Sequence, residues 1–336
     1  MRMQRIVQRF GWLAGGVILL TACGCASWTD HAAQQRVDRG ARLLEADNLD
    51  AALAEFQQAV QMNPRLAVAH SALGVAYRRK GDYEQAARSF AEAVKLNPFS
   101  FNDTFQLAQM YYHLRQLRDA IRAYVHACEL DPNNFDAHLN LGVCYQQEGE
   151  LDQAIALYTR AIELRPDSAF AHSNLGAAYD AQGRFYEAIH EYNESLERDG
   201  NQPMVLVNLA TTLMKQERFA NARSALELAV KIDPEMALAH SQLGYCLFRE
   251  RRYEEAIAAY ERALAIDPKF AEAHAGLGVV KMSRYLVDKA RLDDYQAAVD
   301  HWHRSLELNP QQAKLRKLVE KYRIRSEDPN AVLLSQ

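Results

Sequence analysis

The 336-residue chain lacks most of what would assign it a chemistry. Its five cysteines are too few for a disulfide framework. It has no basic excess: 39 Lys and Arg stand against 43 Asp and Glu, a formal charge of −4, which leaves nothing to neutralise a phosphate backbone and disfavours a nucleic-acid partner. The apolar run from Phe10 to Ala22 has 13 residues, short of the roughly 20 that cross a bilayer as a helix. No phosphate loop, dinucleotide glycine fingerprint, nucleophile elbow or HExxH motif occurs. The chain is therefore read as no enzyme, with no cofactor and no small-molecule substrate. What is present is ordinary: 49% apolar and 24% charged residues, a composition that folds rather than stays disordered.

The first thirty residues form a targeting segment. Arg2, Arg5 and Arg9 precede the apolar run with no acid among them, and small residues close it, the order of a secretion signal. The closing residues Leu20-Thr21-Ala22-Cys23 resemble the bacterial lipobox, in which cleavage leaves the cysteine at the new N-terminus to be acylated. The resemblance implies a signal peptide over 1–22, lipid on Cys23 and a short tether over 23–32. Gly24 follows the cysteine where Asp would imply retention at the inner membrane, so the outer membrane facing the periplasm is the expected location. Each buried methylene adds about 0.8 kcal/mol, and two or three chains make such an anchor permanent. Loss of the three arginines takes the formal charge from −4 to −7, which disfavours further docking on anionic lipid. The alternatives are ordinary cleavage after Ala26 without lipid, giving a soluble secreted protein, an uncleaved anchor, and a soluble cytoplasmic or secreted adaptor whose N-terminal segment is not lipidated.

Seven of the nine prolines keep one register: Pro64, Pro98, Pro132 and Pro166 are 34 residues apart, Pro234 follows after twice 34, Pro268 after 34, and Pro310 after 42. Gly40, Gly74, Gly142, Gly176, Gly244 and Gly278 follow the same beat, as do the alanines from Ala52 to Ala298. Four residues after each alanine comes Phe56, Phe90, Tyr124, Tyr158, Tyr192, Leu226, Tyr260 or Trp302. These series resemble the tetratricopeptide (TPR) repeat family, a helix-turn-helix unit of about 34 residues. Eight units are assigned: 33–66, 67–100, 101–134, 135–168, 169–202, 203–236, 237–270 and 271–312. The implied fold is all-α, a right-handed superhelical solenoid of antiparallel helix pairs, closed by a capping helix over 313–325 and followed by a flexible tail over 326–336.

Each position has a physical reason. Glycine at position 8 and alanine at position 20 are small where two helices cross, the aromatic at position 24 fills the space between helices, and proline at position 32 ends the second helix. One unit cannot bury its own face, so neighbours share a core. Arg39 stands where leucine is usual, as on a solvated end. Unit five departs with Ser195 and Gly200, so the junction over 199–203 is expected to be less regular. Unit eight carries eight extra residues within about 283–295, expected to lengthen its first helix or make a loop.

His70, His138, His172, His240 and His274 all occupy position 4, one per unit, and are read as packing residues too far apart to share a metal. His301 and His303 flank Trp302 but point to different sides of a helix. Cys144 and Cys246 occupy a core-facing slot as buried thiols, with a Cys128–Cys144 disulfide as the alternative in an oxidising compartment.

The resemblance also implies where a partner lies. In TPR arrays the first helices line a concave groove, and positions 2, 5, 6, 9, 12 and 13 face it. Position 6 reads Gln106, Asn140, Asn174, Asn208 and Gln242, a row of amides able to donate and accept along an extended peptide. It resembles the asparagine ladder of O-linked N-acetylglucosamine transferases, whose transferase domain has no counterpart here; the alternative is a consensus residue on a solvated face. Phe105, Gln109, Tyr112, His113, Lys215, Tyr245, Phe248 and Arg249 are the other groove residues, a mix suited to protein contact. The carboxylate clamp of chaperone-binding members is not matched. The expectation is a lipid-anchored scaffold for proteins or extended peptide segments, similar to TPR lipoproteins that support pilus assembly or recruit peptidoglycan enzymes; the alternative is a regulatory subunit of an enzyme.

Overall fold

Helix termination by proline and left-handed turns sets the architecture. The computed structural model describes residues 29–323, and every regular element among them is a helix. The signal segment, Cys23 and the tail over 326–336 lie outside the described residues. The chain divides into two compact units between Arg165 and Pro166. The first contains α1 (29–45), α2 (Leu49–Met62), α3 (Ala67–Lys80), α4 (Tyr83–Leu96), α5 (Phe101–His113), α6 (Leu117–Leu130), α7 (Phe135–Glu148) and α8 (Leu151–Leu164). The second contains α9 (Ala169–Ala181), α10 (Phe185–Arg198), α11 (Pro203–Lys215), α12 (Phe219–Ile232), α13 (Ala237–Arg249), α14 (Tyr253–Ile266), α15 (Ala271–Val287), α16 (Leu292–Leu308) and α17 (Ala313–Arg323).

Within each unit consecutive helices pack as antiparallel pairs stacked on the next pair, the arrangement of a TPR solenoid. Position 8 shows why glycine recurs. A Cβ on Gly142 would sit 2.7 Å from Cε1 of Tyr158, and one on Gly176 2.9 Å from the Tyr192 ring, closer than real side chains approach. The six glycines of this series are thus seats for the position-24 ring of their own helix pair. Where alanine replaces glycine at Ala210, the opposing residue is the smaller Leu226. All eight position-24 side chains are buried.

The turn between paired helices carries a second periodic feature, at position 15. Asp47, Gly81, Arg115, Gly149, Gly183, Glu217 and Arg251 all have positive φ, between 56° and 85°. The next backbone N–H reaches five residues back, as in Asp82 to Tyr77 at 3.0 Å and Gln116 to Tyr111 at 2.9 Å, closing the helix with a Schellman-type bond. Three glycines meet the requirement freely; the two arginines and the glutamate adopt it at a cost of about 1 kcal/mol or more each.

The turn before a new pair is built at several junctions by the residue preceding proline. Asn63 Oδ1 accepts from Arg65 N at 2.8 Å and Asp267 Oδ1 from Lys269 N at 2.9 Å. The position-4 histidines complete it. Nε2 of His70, His138, His172, His240 and His274 donates to the carbonyl of Pro64, Pro132, Pro166, Pro234 and Pro268, at 2.9–3.3 Å. Only His172 is buried, so the series latches turns rather than filling a core, which corrects the packing assignment.

The junction over 199–203 is regular after all. Ser195 donates to Ala169 O at 2.8 Å, and Gln202 Nε2 donates to Asp199 O at 2.7 Å and Ser195 O at 3.2 Å. The same serine–glutamine device recurs at Ser305 and Gln312. The insertion lengthens both helices of its pair: α15 and α16 have 17 residues each, against 13 and 14 in α13 and α14. The expected lengthening of the first helix is thus met in α15, and the second helix lengthens with it, because Tyr285 and Tyr295 continue the helical register and pack on each other at 5.1 Å. α17 covers the last pair with Leu315, Val319 and Tyr322 buried beside Trp302. Cys128, Cys144 and Cys246 are free thiols, so the disulfide alternative is not formed.

Candidate functional site

The position-6 amides stand half-buried on the first helix of each pair. In the first unit Gln106 lies on α5 and Asn140 on α7; Gln106 Oε1 is buried without a partner. In the second unit Asn174 lies on α9, Asn208 on α11 and Gln242 on α13. Asn174 Nδ2 is buried without a partner, and Gln242 Oε1 accepts from Thr211 Oγ1 at 3.3 Å. Among the described residues, the side chains of Asn140 and Asn208 make no internal hydrogen bond. Position 6 of the last pair is Gly276, because Tyr260 arrives there: a Cβ would lie 2.3 Å from its ring. The amide row therefore stops at Gln242 for a steric reason.

In the first unit several groove residues converge on a cavity of about 410 Å³ lined by Arg78, Tyr83, Gln109, Met110, Tyr112, His113, Tyr124 and Asn140. Tyr83 stacks on His113 with centroids 4.7 Å apart and planes 10° off parallel. Tyr112 OH accepts from Gln147 Nε2 at 2.7 Å, which leaves its own proton free. Burial pushes the Tyr124 phenol well above its ordinary range, so it stays a neutral wall. Phe105, assigned to the groove, is turned half into the core, edge-on to Tyr124 at 5.7 Å. Sequence reasoning missed Arg78 and Tyr83. Arg78 stands at position 12, one of the groove-facing positions, and could have been read from it.

The second unit presents a different surface. Phe170 is 60% exposed, Met204 51% and Leu238 37%, and all three occupy position 2 of successive pairs, beside Asn174, Asn208 and Gln242. This apolar stripe was also missed, although its spacing of 34 was present. Tyr245 is exposed, and its hydroxyl accepts from Arg249 Nη1 at 2.9 Å. Arg249 also lies over the Phe219 ring at 4.0 Å and pairs with Glu217 at 3.7 Å, so its charge is already engaged. Lys215 is held by Asp180 at 2.6 Å. Phe248 packs half-buried beside Tyr253 and contributes to the α13–α14 core more than to the surface.

Among the described residues no group of three or more His, Cys, Asp or Glu could hold a metal. Burial raises the Cys144 and Cys246 thiols to about 12, the reverse of an activated nucleophile. His274 and His301, which the sequence did not pair, meet Nδ1 to Nδ1 at 3.0 Å. No described helix is long and apolar enough to cross a membrane.

Comparison with known proteins bears on this arrangement. Family models described as "Tetratricopeptide repeat" match residues 67–100, 134–200, 207–269 and 247–292, and one described as "TPR repeat" matches 108–149. No curated protein is significantly similar in sequence. Among solved structures, a tetratricopeptide repeat protein from Parabacteroides merdae is similar with a TM-score of 0.58 at 15% identity, covering 76% of this chain and 98% of that one. The Cut9–Hcn1 hetero-tetramer of the APC/C gives 0.56 at 18% identity over 82% of this chain, which spans only 52% of that chain. PilF from Pseudomonas aeruginosa gives 0.53 at 21% identity, over 62% of this chain and 94% of that one. At these identities the likeness is one of fold.

Proposed function

Because the chain belongs to the tetratricopeptide repeat family, we propose that it is a scaffold that holds proteins or extended peptide segments along the first helices of its repeats, tethered to the bacterial envelope by lipid on Cys23. The observation that carries the binding reading is the state of the position-6 amides. Gln106 and Asn174 each keep a buried polar atom without a partner, and an unmet buried donor or acceptor costs about 1–3 kcal/mol. A peptide backbone supplies the missing partner in the form an amide can use, one acceptor and one donor per residue. The cavity beside Asn140 and the stripe of Phe170, Met204 and Leu238 add places for side chains. The scaffold does no chemistry of its own; it brings partners of an envelope complex together.

The membrane part of the reading rests on the order of basic segment, apolar segment and Leu20-Thr21-Ala22-Cys23. Two tests separate the parts. Peptide-array binding by the chain and by an Asn140→Ala, Asn174→Ala, Asn208→Ala variant of unchanged helicity should show loss in the variant; equal binding removes the amide row from the account. Metabolic labelling with palmitate should mark the chain and not Cys23→Ser; label that persists in the variant, or none in either, removes the anchor, and outer-membrane fractionation of the labelled form tests its location.

A further inference from the structure

The cavity of the first unit has a chemical bias. Its lining holds one full cation, Arg78, with the amides of Gln109 and Asn140, the phenols of Tyr83 and Tyr112 and the imidazole of His113, and no carboxylate. Arg78 belongs to a basic triplet at the end of α3. Its two neighbours are occupied: Arg79 Nη1 donates to Leu44 O at 2.9 Å, and Lys80 lies 3.6 Å from Asp50. Among the described residues the Arg78 guanidinium has neither a carboxylate nor a hydrogen-bond partner, its carbonyl alone accepting from Gly81 N at 3.1 Å, in a chain with more acids than bases. Tyr112 adds a hydroxyl whose oxygen is filled by Gln147 and whose proton is therefore directed elsewhere. Asn140 adds an amide with no internal bond.

We infer that this cavity is a subsite for a peptide carboxylate, in which Arg78 supplies the charge and Tyr112 and Asn140 supply neutral donors. The inference rests on the peptide-binding reading and deepens it. The reasoning is one of matching. One guanidinium and a set of neutral donors balance a single negative charge; charge-assisted bonds are shorter and about twice as strong as neutral ones, and no acid of the lining competes. A volume of about 410 Å³ holds an acidic side chain with part of its neighbour, and the Tyr83–His113 stack offers a flat wall for the adjoining peptide plane. The three groups come from positions 12, 12 and 6 of three successive helix pairs, a different set from the clamp that chaperone-binding members use. The carboxylate has two sources, an Asp or Glu side chain and a free chain end, and the same chemistry serves both.

The test uses the full chain and a library of nine-residue synthetic peptides, each made with a free C-terminus and as the C-terminal amide. The chain should select peptides with an acid at one fixed place, bound about tenfold more tightly than the Asn or Gln isostere, the size of one charge-assisted contact at a partly open site. Loss on amidation alone assigns the chain end; loss on Glu→Gln alone assigns the side chain; both uphold the subsite. Arg78→Gln should bring each acidic peptide and its neutral isostere to equal affinity and remove the salt dependence of the difference. Tyr112→Phe should weaken the preference without removing it. Equal binding of acidic and neutral peptides, a preference that survives Arg78→Gln, or stronger selection of phosphoserine than of Glu would each overturn the inference with peptide binding intact. Binding of no peptide at all would instead remove the reading beneath it.

Discussion

Replacing Gly142 by valine tests the packing rule directly. The glycine lies on α7 with its missing Cβ directed at Tyr158 of α8, 2.7 Å from Cε1 and 2.9 Å from Cδ1. Ordinary contact begins near 3.4 Å, so the ring must move by more than half an ångström. It has nowhere to go: Tyr158 is fully buried, and its hydroxyl donates to Gln146 Oε1 at 2.7 Å. Overpacking of this kind costs about 1–3 kcal/mol. Valine's two γ-methyls put the effect at the upper end, and the glycine's own poor helix propensity returns less than about 1 kcal/mol. Stacked repeats do not unfold as one unit, so the assay is amide exchange on α7 and α8, where protection should fall by about ten- to a hundred-fold. A double-mutant cycle with Tyr158→Leu, which borrows the small partner that Leu226 provides opposite Ala210, should recover more than about 1 kcal/mol as coupling. Unchanged protection in Gly142→Val, or additive effects in the cycle, would refute the seat-and-ring account.

Three other outcomes follow from the structure. Arg115→Gly and Arg251→Gly, at φ of 60° and 62°, should each raise stability by about 0.5–1 kcal/mol in thermal melts because the left-handed penalty is relieved; a loss at both sites would show that the turn is not strained. Burial, the charge of His274 and Lys281 together lower the His301 pKa from its ordinary 6.5. The unfolded chain then binds the proton more readily, so the contribution is complete above pH 6.5 and is lost as pH falls through the lowered folded value; the pH slope of α15–α16 exchange should shrink in His301→Asn, and an unchanged slope would exclude the pair as its source. Cys144 and Cys246 should resist maleimide at pH 8 in the native chain and react in urea, since burial holds both thiols near 12; rapid native labelling of either would contradict their place in the core.

The parts of the fold that depend on one residue facing its own helix pair were legible in the sequence. Gly142 and Tyr158 recur with the repeat because each pair must solve the same crossing, and repetition exposes the solution. The left-handed position 15 was harder to see, since Arg115, Glu217 and Arg251 mask a series that Gly81, Gly149 and Gly183 keep. The histidine latches were legible as a column and not as bonds, because the acceptor is the carbonyl of a proline six residues earlier and carbonyls carry no sequence signal. The division at Arg165 was not legible: Pro166 continues the register through it. At the site, the amide row could be read from position 6. The cavity could not, because Arg78, Tyr112 and Asn140 belong to three different pairs and meet only through stacking.

The central claim is that partners lie along the first helices. The measurement that tests it most directly is hydrogen exchange across the whole chain with and without a peptide selected from the library. Protection gained on α5, α7, α9, α11 and α13, and lost in the Asn140→Ala, Asn174→Ala, Asn208→Ala variant, is the predicted result. Protection confined to the second helices of the pairs, or to the extended tip between α15 and α16, would contradict it.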